Sequence, residues 1–269
     1  MLGAVVRSEG GKDAMLTPQE IAHYNEHGYV VPAGFRFPME AIEEIRAAHA
    51  RLVAKLPQFA DYCPMVLAHD TGFLNWARTP AVLDMVEQVI GPDFALWNSS
   101  FFAKPAFKGS RTPWHQDGEY WPIRPLATCT VWIACDASTP ENGCLRVIRG
   151  SHRRKALYRH NRNDGPGLAL NQELDRAEYD EKDAVDIVLE PGQVSLHDVY
   201  LVHGSEPNRS PNPRRGMTLR FMPTSSVFDR ELATSMFHSK KLGANHADRT
   251  VYLMRGRDLS GGNDFRVRL

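Results

Sequence analysis

Two residues in the stretch PWHQDGEYW stand where a metal ion could use them. His115 and Asp117 are two positions apart, so on an extended backbone both side chains leave the same face. One imidazole and one carboxylate make two ligands, although a solvated turn would carry the same pair. His203 ends the apolar run VYLV and is followed by Gly-Ser, so its ring would emerge at a strand mouth. Several strands separate it from the pair and would have to return it beside them. Two histidines and one carboxylate on one face of a metal are the facial set of non-haem Fe(II) sites. Three coordination positions then stay open for a bidentate cosubstrate and O2. A fourth protein ligand would instead close the site into a structural one.

Arg214 follows His203 across the turn GSEPNRSPNP. A hairpin there is expected to bring RRGMTLRFM back antiparallel to the His203 strand and to set Arg214 near the metal. A planar guanidinium captures a carboxylate through two parallel hydrogen bonds. A dicarboxylic keto acid that chelates a metal at one end needs such a cation at the other. Ser205, two residues past His203, offers a hydroxyl. Taken singly, Arg214 beside Arg215 reads equally well as a solvated basic turn; it is the ordered set that points to chemistry.

The elements that must position these residues divide the chain in two. Helices dominate the first third. LTPQEIAHY carries Thr17 as N-cap, Pro18 at the first helical position, Glu20 completing a capping box, and Leu16 with Ile21 as a hydrophobic staple. MEAIEEIRAAHARLVAKL places Ile42, Ile45, His49, Leu52 and Leu56 on one stripe. TPAVLDMVEQVIG starts at Thr79-Pro80, stops at Gly91 and turns Val82, Met85, Val86 and Val89 to one side. After Pro92 the segments FALWNSSFFA, ATCTVWIAC, CLRVI, VDIVLE, QVSLHDVYLV and MTLRFM are short, β-branched and aromatic, with turn residues between them. Asn142-Gly143 predicts a hairpin between the Trp132 and Leu145 strands. The fold class is α+β, mainly β: a double-stranded β-helix, or jelly roll, with N-terminal helices packed on one outer face.

The expected layout over 1–269 is a single domain. It comprises a loose tail at 1–14, a mainly helical part at 15–91, a jelly-roll core at 92–223 and a C-terminal extension at 224–269. Within the core, a long polar insertion at about 152–184 reads as a lid. Acidic and basic residues balance at 32 each, so no nucleic-acid or membrane-surface footprint shows. Four cysteines without a C-x-x-C pair read as buried free thiols of a reducing compartment. MLGAVV is short for a signal-peptide core, and no apolar run reaches the ~20 residues of a membrane span. These features predict a cytoplasmic protein; its oligomeric state is not legible.

WHQDGEYWPIRP, TVWIACDASTPENGCLRVIRGSH and HDVYLVHGSEPNRSPNPRRGMTLRFM together resemble the phytanoyl-CoA dioxygenase family of Fe(II)/2-oxoglutarate-dependent oxygenases. The likeness is specific over about residues 92–223 and looser at LTPQEIAHYNEHGYVV. It implies a jelly roll, iron on His115, Asp117 and His203, and 2-oxoglutarate as cosubstrate with its distal carboxylate on Arg214 assisted by Ser205. It also implies that Trp132 lines the cosubstrate pocket, and Asn98 is a further candidate for a polar contact there. Related halogenases carry alanine or glycine in place of the carboxylate, so Asp117 favours hydroxylation or another oxidation.

Eleven histidines invite further assignments. His49 reads as a core or boundary residue, His152 as support for a turn, and His197 as a barrel-lining residue that packs there or backs the ligands without being one. Gln116 should point away from the metal. Tyr120, Trp121 and Arg124 read either as substrate-pocket lining or as surface packing. Arg220 shares strand parity with Arg214 and Thr218. Inside a barrel it needs a partner, either a substrate carboxylate or phosphate or an internal acid. RGRDLSGG matches no phosphate-loop pattern. The expected function is oxidation of a C–H bond of a small metabolite, using Fe(II), 2-oxoglutarate and O2 and releasing succinate and CO2. The absence of a terminal SKL leans toward a free metabolite over a peroxisomal CoA thioester. A cupin-like metal enzyme without a keto acid, or a non-catalytic binding protein of the same fold, are the other readings.

Overall fold

A computed structural model describes residues 15–266. The expected tail at 1–14 lies outside the described residues.

Thr17 caps helix Pro18–His27 with the full capping box, and Gly28 ends it at φ 84°. Helices Met39–Lys55 and Pro80–Ile90 follow. Their stripes, Ile42, Ile45 and Leu52 on one and Val82, Met85 and Val86 on the other, are buried. They pack on the outward side chains of a large sheet, among them Phe101, Val131, Ile133, Leu196, Met217 and Leu219. Burying each such side chain contributes roughly 1.5–3 kcal/mol.

That seven-stranded sheet runs Tyr29–Val30, Val194–Asp198, Cys129–Ala134, Arg214–Pro223, Phe94–Lys104 and Tyr252–Arg255 in spatial order. Tyr62–Cys63 is also paired to Phe94–Lys104. The facing sheet runs Ala184–Ile187, Leu145–Ile148, His203–Ser205 and Thr112–His115. The core sheet thus borrows strands from both ends of the chain, including the helical part and the C-terminal extension.

Two expected hairpins do not form. The Trp132 strand lies in the large sheet and the Leu145 strand in the small one, so Asn142-Gly143 carries the chain between sheets. Asn142 closes a 3-10 turn, with Gly143 in the left-handed region at φ 79°. Arg214–Pro223 likewise pairs with Phe94–Lys104 and Cys129–Ala134, not with the His203 strand. The physical reason is shared. Cys129–Ala134 is buried on both faces and Arg214–Pro223 on nearly all of its length, so each takes a central place in the large sheet while its neighbour in sequence goes to the facing sheet. The turn residues are those of a hairpin, but tertiary burial decides the partner.

Parity sets the interior. On Arg214–Pro223, Met217, Leu219 and Phe221 face the helices, whereas Arg214, Thr218 and Arg220 line the space between the sheets. A register shift between Arg220 and Phe221 pairs Arg220 with Asn98 and Phe221 with Leu96. The extra residue, Trp97, joins a second cluster with Tyr120 and Trp121.

Candidate metal centre

The small sheet brings the distant histidine home. His203 and His115 are direct antiparallel partners, and their ring centroids lie 4.2 Å apart. Gln116 remains extended, so Asp117 leaves on the same side as His115 before the chain turns at Asp117–Glu119. The Asp117 Oδ1 atom is 3.5 Å from His115 Nε2 and 3.9 Å from His203 Nε2. One ligand atom from each of the three residues falls within 4.8 Å of the others, and all three residues are buried.

The donor chemistry fits a divalent metal. His115 Nδ1 lies 2.8 Å from the Pro113 carbonyl, and His203 Nδ1 lies 2.9 Å from the Leu201 carbonyl. A carbonyl only accepts, so both rings carry their proton on Nδ1 and turn the Nε2 lone pair toward Asp117. Metal-binding histidines are oriented in this way. Asp117 Oδ2 is buried with no hydrogen-bond partner. Burial opposes the Asp117 charge, but the surrounding His203, His115 and His197 rings and the Arg220 guanidinium outweigh it and hold the carboxyl well below the usual range. Burial, then the neighbouring His115, pushes His203 well below its ordinary value. Neutral imidazoles and an ionised carboxylate are the forms that ligate. His197 Nε2 stands 3.7 Å from Asp117 Oδ2, so this barrel-lining residue backs the ligand set.

Beyond the triad lies a narrow chamber of about 40 Å³, lined by Arg214, Ser205, Trp132 and Thr218 among others. Arg214 is 2% exposed. Its Nε donates to the Gly143 carbonyl at 3.1 Å and its Nη1 to the Phe102 carbonyl at 2.8 Å, while its Cζ sits 5.5 Å from the Trp132 ring centre. Burial lowers it to about 10, which leaves it cationic at neutral pH. No carboxylate lies within ion-pair distance of it among the described residues. Arg215, one step along the strand, faces the other way and takes Asp136 through Nε and Nη2, both at 2.8 Å. Strand parity thus separates the chamber arginine from the structural one. Gly216 makes room for the indole: a Cβ there would lie 2.0 Å from Trp132 Cζ2.

Phe102, Asp117 and Arg220 also line a second cavity of about 470 Å³. Tyr120 and Trp121 line this larger space, and so does Asn98. Asn98 therefore belongs to the larger cavity and not beside Arg214. Its Oδ1 is engaged by Arg249 Nη1, and the strand register sets it opposite Arg220. Arg124 lines neither cavity. Ile123 is the buried member of its strand, so Arg124 alternates outward, and its Nη1 folds back on the Trp121 and Ile123 carbonyls. Residues of the insertion, Asn163, Leu168 and Leu170 among them, wall the cavity. Gln116 points away from the triad and anchors the base of that insertion, donating to the Ala156 carbonyl at 3.1 Å and accepting from the Tyr158 amide at 2.7 Å. His152 contacts the Asn25 carbonyl at 3.1 Å and supports its turn, and His49 stacks on Phe101 in the core. The C-terminal residues Lys241, Leu242 and His246 complete the wall, with Arg249 behind them. No periodicity in that tail announces this; only the return of Tyr252–Arg255 to the core sheet brings it here.

The profile of the phytanoyl-CoA dioxygenase (PhyH) family matches residues 24–216. A phytanoyl-CoA dioxygenase domain-containing protein 1 homolog from Dictyostelium discoideum is 36% identical over 116 residues, 42% of this chain and 41% of that protein. The chain thus spans less than half the length of that relative. An ectoine dioxygenase from Sphingopyxis alaskensis is 26% identical over 259 residues, covering 85% of this chain and 83% of its own. The solved apo structure of the non-heme monooxygenase ThoJ superposes with a TM-score of 0.70 at 25% identity, covering 90% of this chain and 85% of its own. Among the described residues no helix is long and apolar enough to cross a membrane.

Proposed function

Because the chain belongs to the phytanoyl-CoA dioxygenase family, we propose that it is an Fe(II)- and 2-oxoglutarate-dependent dioxygenase. It hydroxylates, or otherwise oxidises, a C–H bond of a small metabolite. The observation that carries this reading is the joint placement of two features. Three ligand atoms converge at one end of a chamber, and a buried, acid-free guanidinium waits at the other.

His115, Asp117 and His203 hold the metal and leave one side of it open. Iron with 2-oxoglutarate and O2 supplies the oxidising power, with release of succinate and CO2. The chain supplies ligand geometry, orientation and exclusion of water. Arg214, fixed by two backbone carbonyls before any ligand arrives, receives the far carboxylate of the keto acid at little reorganisation cost. Ser205 adds a hydroxyl, and Trp132 walls the chamber. The substrate occupies the 470 Å³ cavity, where Tyr120 and Trp121 line the approach to Asp117. That volume suits a small ligand. The ectoine dioxygenase relative, similar over most of both chains, supports a free metabolite as substrate. A cytoplasmic setting agrees with four buried free thiols.

Anaerobic addition of Fe(II) and 2-oxoglutarate is expected to produce the weak visible charge-transfer band of the chelate, and His115→Ala to abolish it. A His115→Ala protein that still consumed 2-oxoglutarate would refute the assignment.

A further inference from the structure

One wall of the larger cavity is built from hydrogen-bond donors. Arg249 is buried, and every acceptor it touches is spoken for: its Nη1 donates to Asn98 Oδ1, its Nη2 to the Pro64 carbonyl at 3.0 Å, and its Nε to His246 Nδ1 at 2.7 Å. A guanidinium has no lone pair to offer. Asn98 must therefore present its oxygen to Arg249 and keep its NH2 for elsewhere. His246 must carry its proton on Nε2, because burial and the charges of Arg249 and Arg220 hold the ring well below its ordinary value and so neutral. Both residues line the cavity. Arg249 thus fixes the polarity of two neighbours so that their donor groups are the ones left over.

Arg220 lines the same cavity and is 4% exposed. Its Nη1 is held by the Ser100 and Thr218 hydroxyls, and its Cζ lies 5.2 Å from the Trp121 ring centre. Its Nε is buried without a partner, and its Nη2 makes no hydrogen bond among the described residues. These two nitrogens form the edge with which Arg215 grips Asp136. In Arg220 that edge has no carboxylate. Of the two aspartates lining the cavity, Asp117 stands among the metal ligands and Asp164 is paired with Arg162 at 2.6 Å. Burial, only partly offset by Tyr62 and reinforced by the charge of Arg220, brings Arg249 down to about 9, still cationic at neutral pH. Neither guanidinium makes an ion pair with a carboxylate among the described residues, although the Asp117 charge acts on Arg220, and burying two such cations is costly unless an anion joins them.

We propose that this wall is an oxyanion receptor: the substrate carries a carboxylate, phosphate or phosphonate group, which binds the free edge of Arg220 and the donor groups of Asn98 and His246. The rest of the substrate lies against the aromatic side chains that share the cavity, Phe102 and Trp121 beside Arg220, and Tyr62. This inference rests on the function proposed above and names the substrate class of that same site.

The test uses the full chain, anaerobic, with Fe(II) and saturating 2-oxoglutarate so that the Arg214 chamber is filled. Phenylphosphonate and benzoate are the probes, benzamide is the neutral control, and tryptophan fluorescence is the readout. Both anions are expected to bind at least about tenfold more tightly than benzamide, without loss of the chelate band. Arg220→Gln should erase that preference, and Arg220→Lys should keep part of it. The proposal is overturned if wild type shows no preference for the anions, including no binding of any probe. It is equally overturned if Arg220→Gln keeps the preference. Loss of the chelate band in a folded Arg220→Gln protein would assign Arg220 to the cosubstrate and also sink it. Should no chelate band form even in wild type, the proposed function itself fails, and the two failures are thereby told apart.

Discussion

Replacing Gly216 by alanine is the sharpest probe of how the chamber is built. The added Cβ would lie 2.0 Å from Trp132 Cζ2 and 2.3 Å from Cε2. Carbon atoms in contact normally stand about 3.5–4.0 Å apart, so the indole must move by roughly 1.5 Å. Trp132 is 5% exposed and sits mid-strand between the Ser195 and Thr218 positions of its two neighbours, so it has little freedom to yield sideways. Overpacking of this kind costs about 1–3 kcal/mol. In a chain of this size that lowers the melting temperature by about 2–10 °C. The ring's remaining way out is into the chamber of about 40 Å³ that Arg214 and the metal ligands share. Half-saturation by 2-oxoglutarate, read from the chelate band, is therefore expected to rise at least about tenfold, or ~1.4 kcal/mol. A double-mutant cycle isolates the cause. Trp132→Phe removes the clashing atoms, so the double variant should be more stable than the sum of the single losses by about 1–2 kcal/mol. Additive energies, or a Gly216→Ala protein with unchanged melting and unchanged 2-oxoglutarate affinity, would refute this account of the close approach.

Three further outcomes are expected. Arg214→Gln removes two charge-assisted bonds to the distal carboxylate and should raise the 2-oxoglutarate requirement by about 100-fold. Calorimetric Fe(II) affinity should change little, whereas activity left intact would favour an enzyme that uses no keto acid. His49 is held at about 4 by burial, with Arg215 adding to the effect, against an ordinary value of 6.5. Its neutral form is the folded form, so its stability contribution is complete above pH 6.5 and is lost as pH falls toward 4, by about 3 kcal/mol at most. Denaturant titrations of His49→Phe should accordingly show a flatter stability profile across that window. Gln116→Ala cuts the ties to Ala156, Tyr158 and Tyr200. Hydrogen exchange should then speed up across about residues 156–174 while metal binding persists; unchanged exchange would mean the insertion is held from elsewhere.

Much of this protein was legible in one dimension. The i, i+2 spacing of His115 and Asp117 survives folding because it depends only on local extended backbone. The capping box at Thr17 and Glu20 and the apolar helical stripes are equally local. The facial ligand set, the arginine and the resemblance of three segments were enough to name a chemistry.

What the sequence could not decide is which strand lies beside which. Asn142-Gly143 and the turn before Arg214 carry hairpin residues, yet both join opposite sheets, because pairing is settled by which faces the whole barrel buries. Strand parity sends the neighbouring arginines to opposite faces, but only the pairing of the sheets decides which face is the chamber, with Arg214 in it and Arg215 on Asp136. It also explains why the donor wall was legible only in part, with Arg220 and Asn98 picked out singly and Arg249 and His246 not at all. Asn98, Arg220, His246 and Arg249 come from three separate segments, and their meaning lies in which lone pairs and protons remain after they meet. A residue's type and local spacing are properties of the chain. Its hydrogen-bonding remainder is a property of the fold.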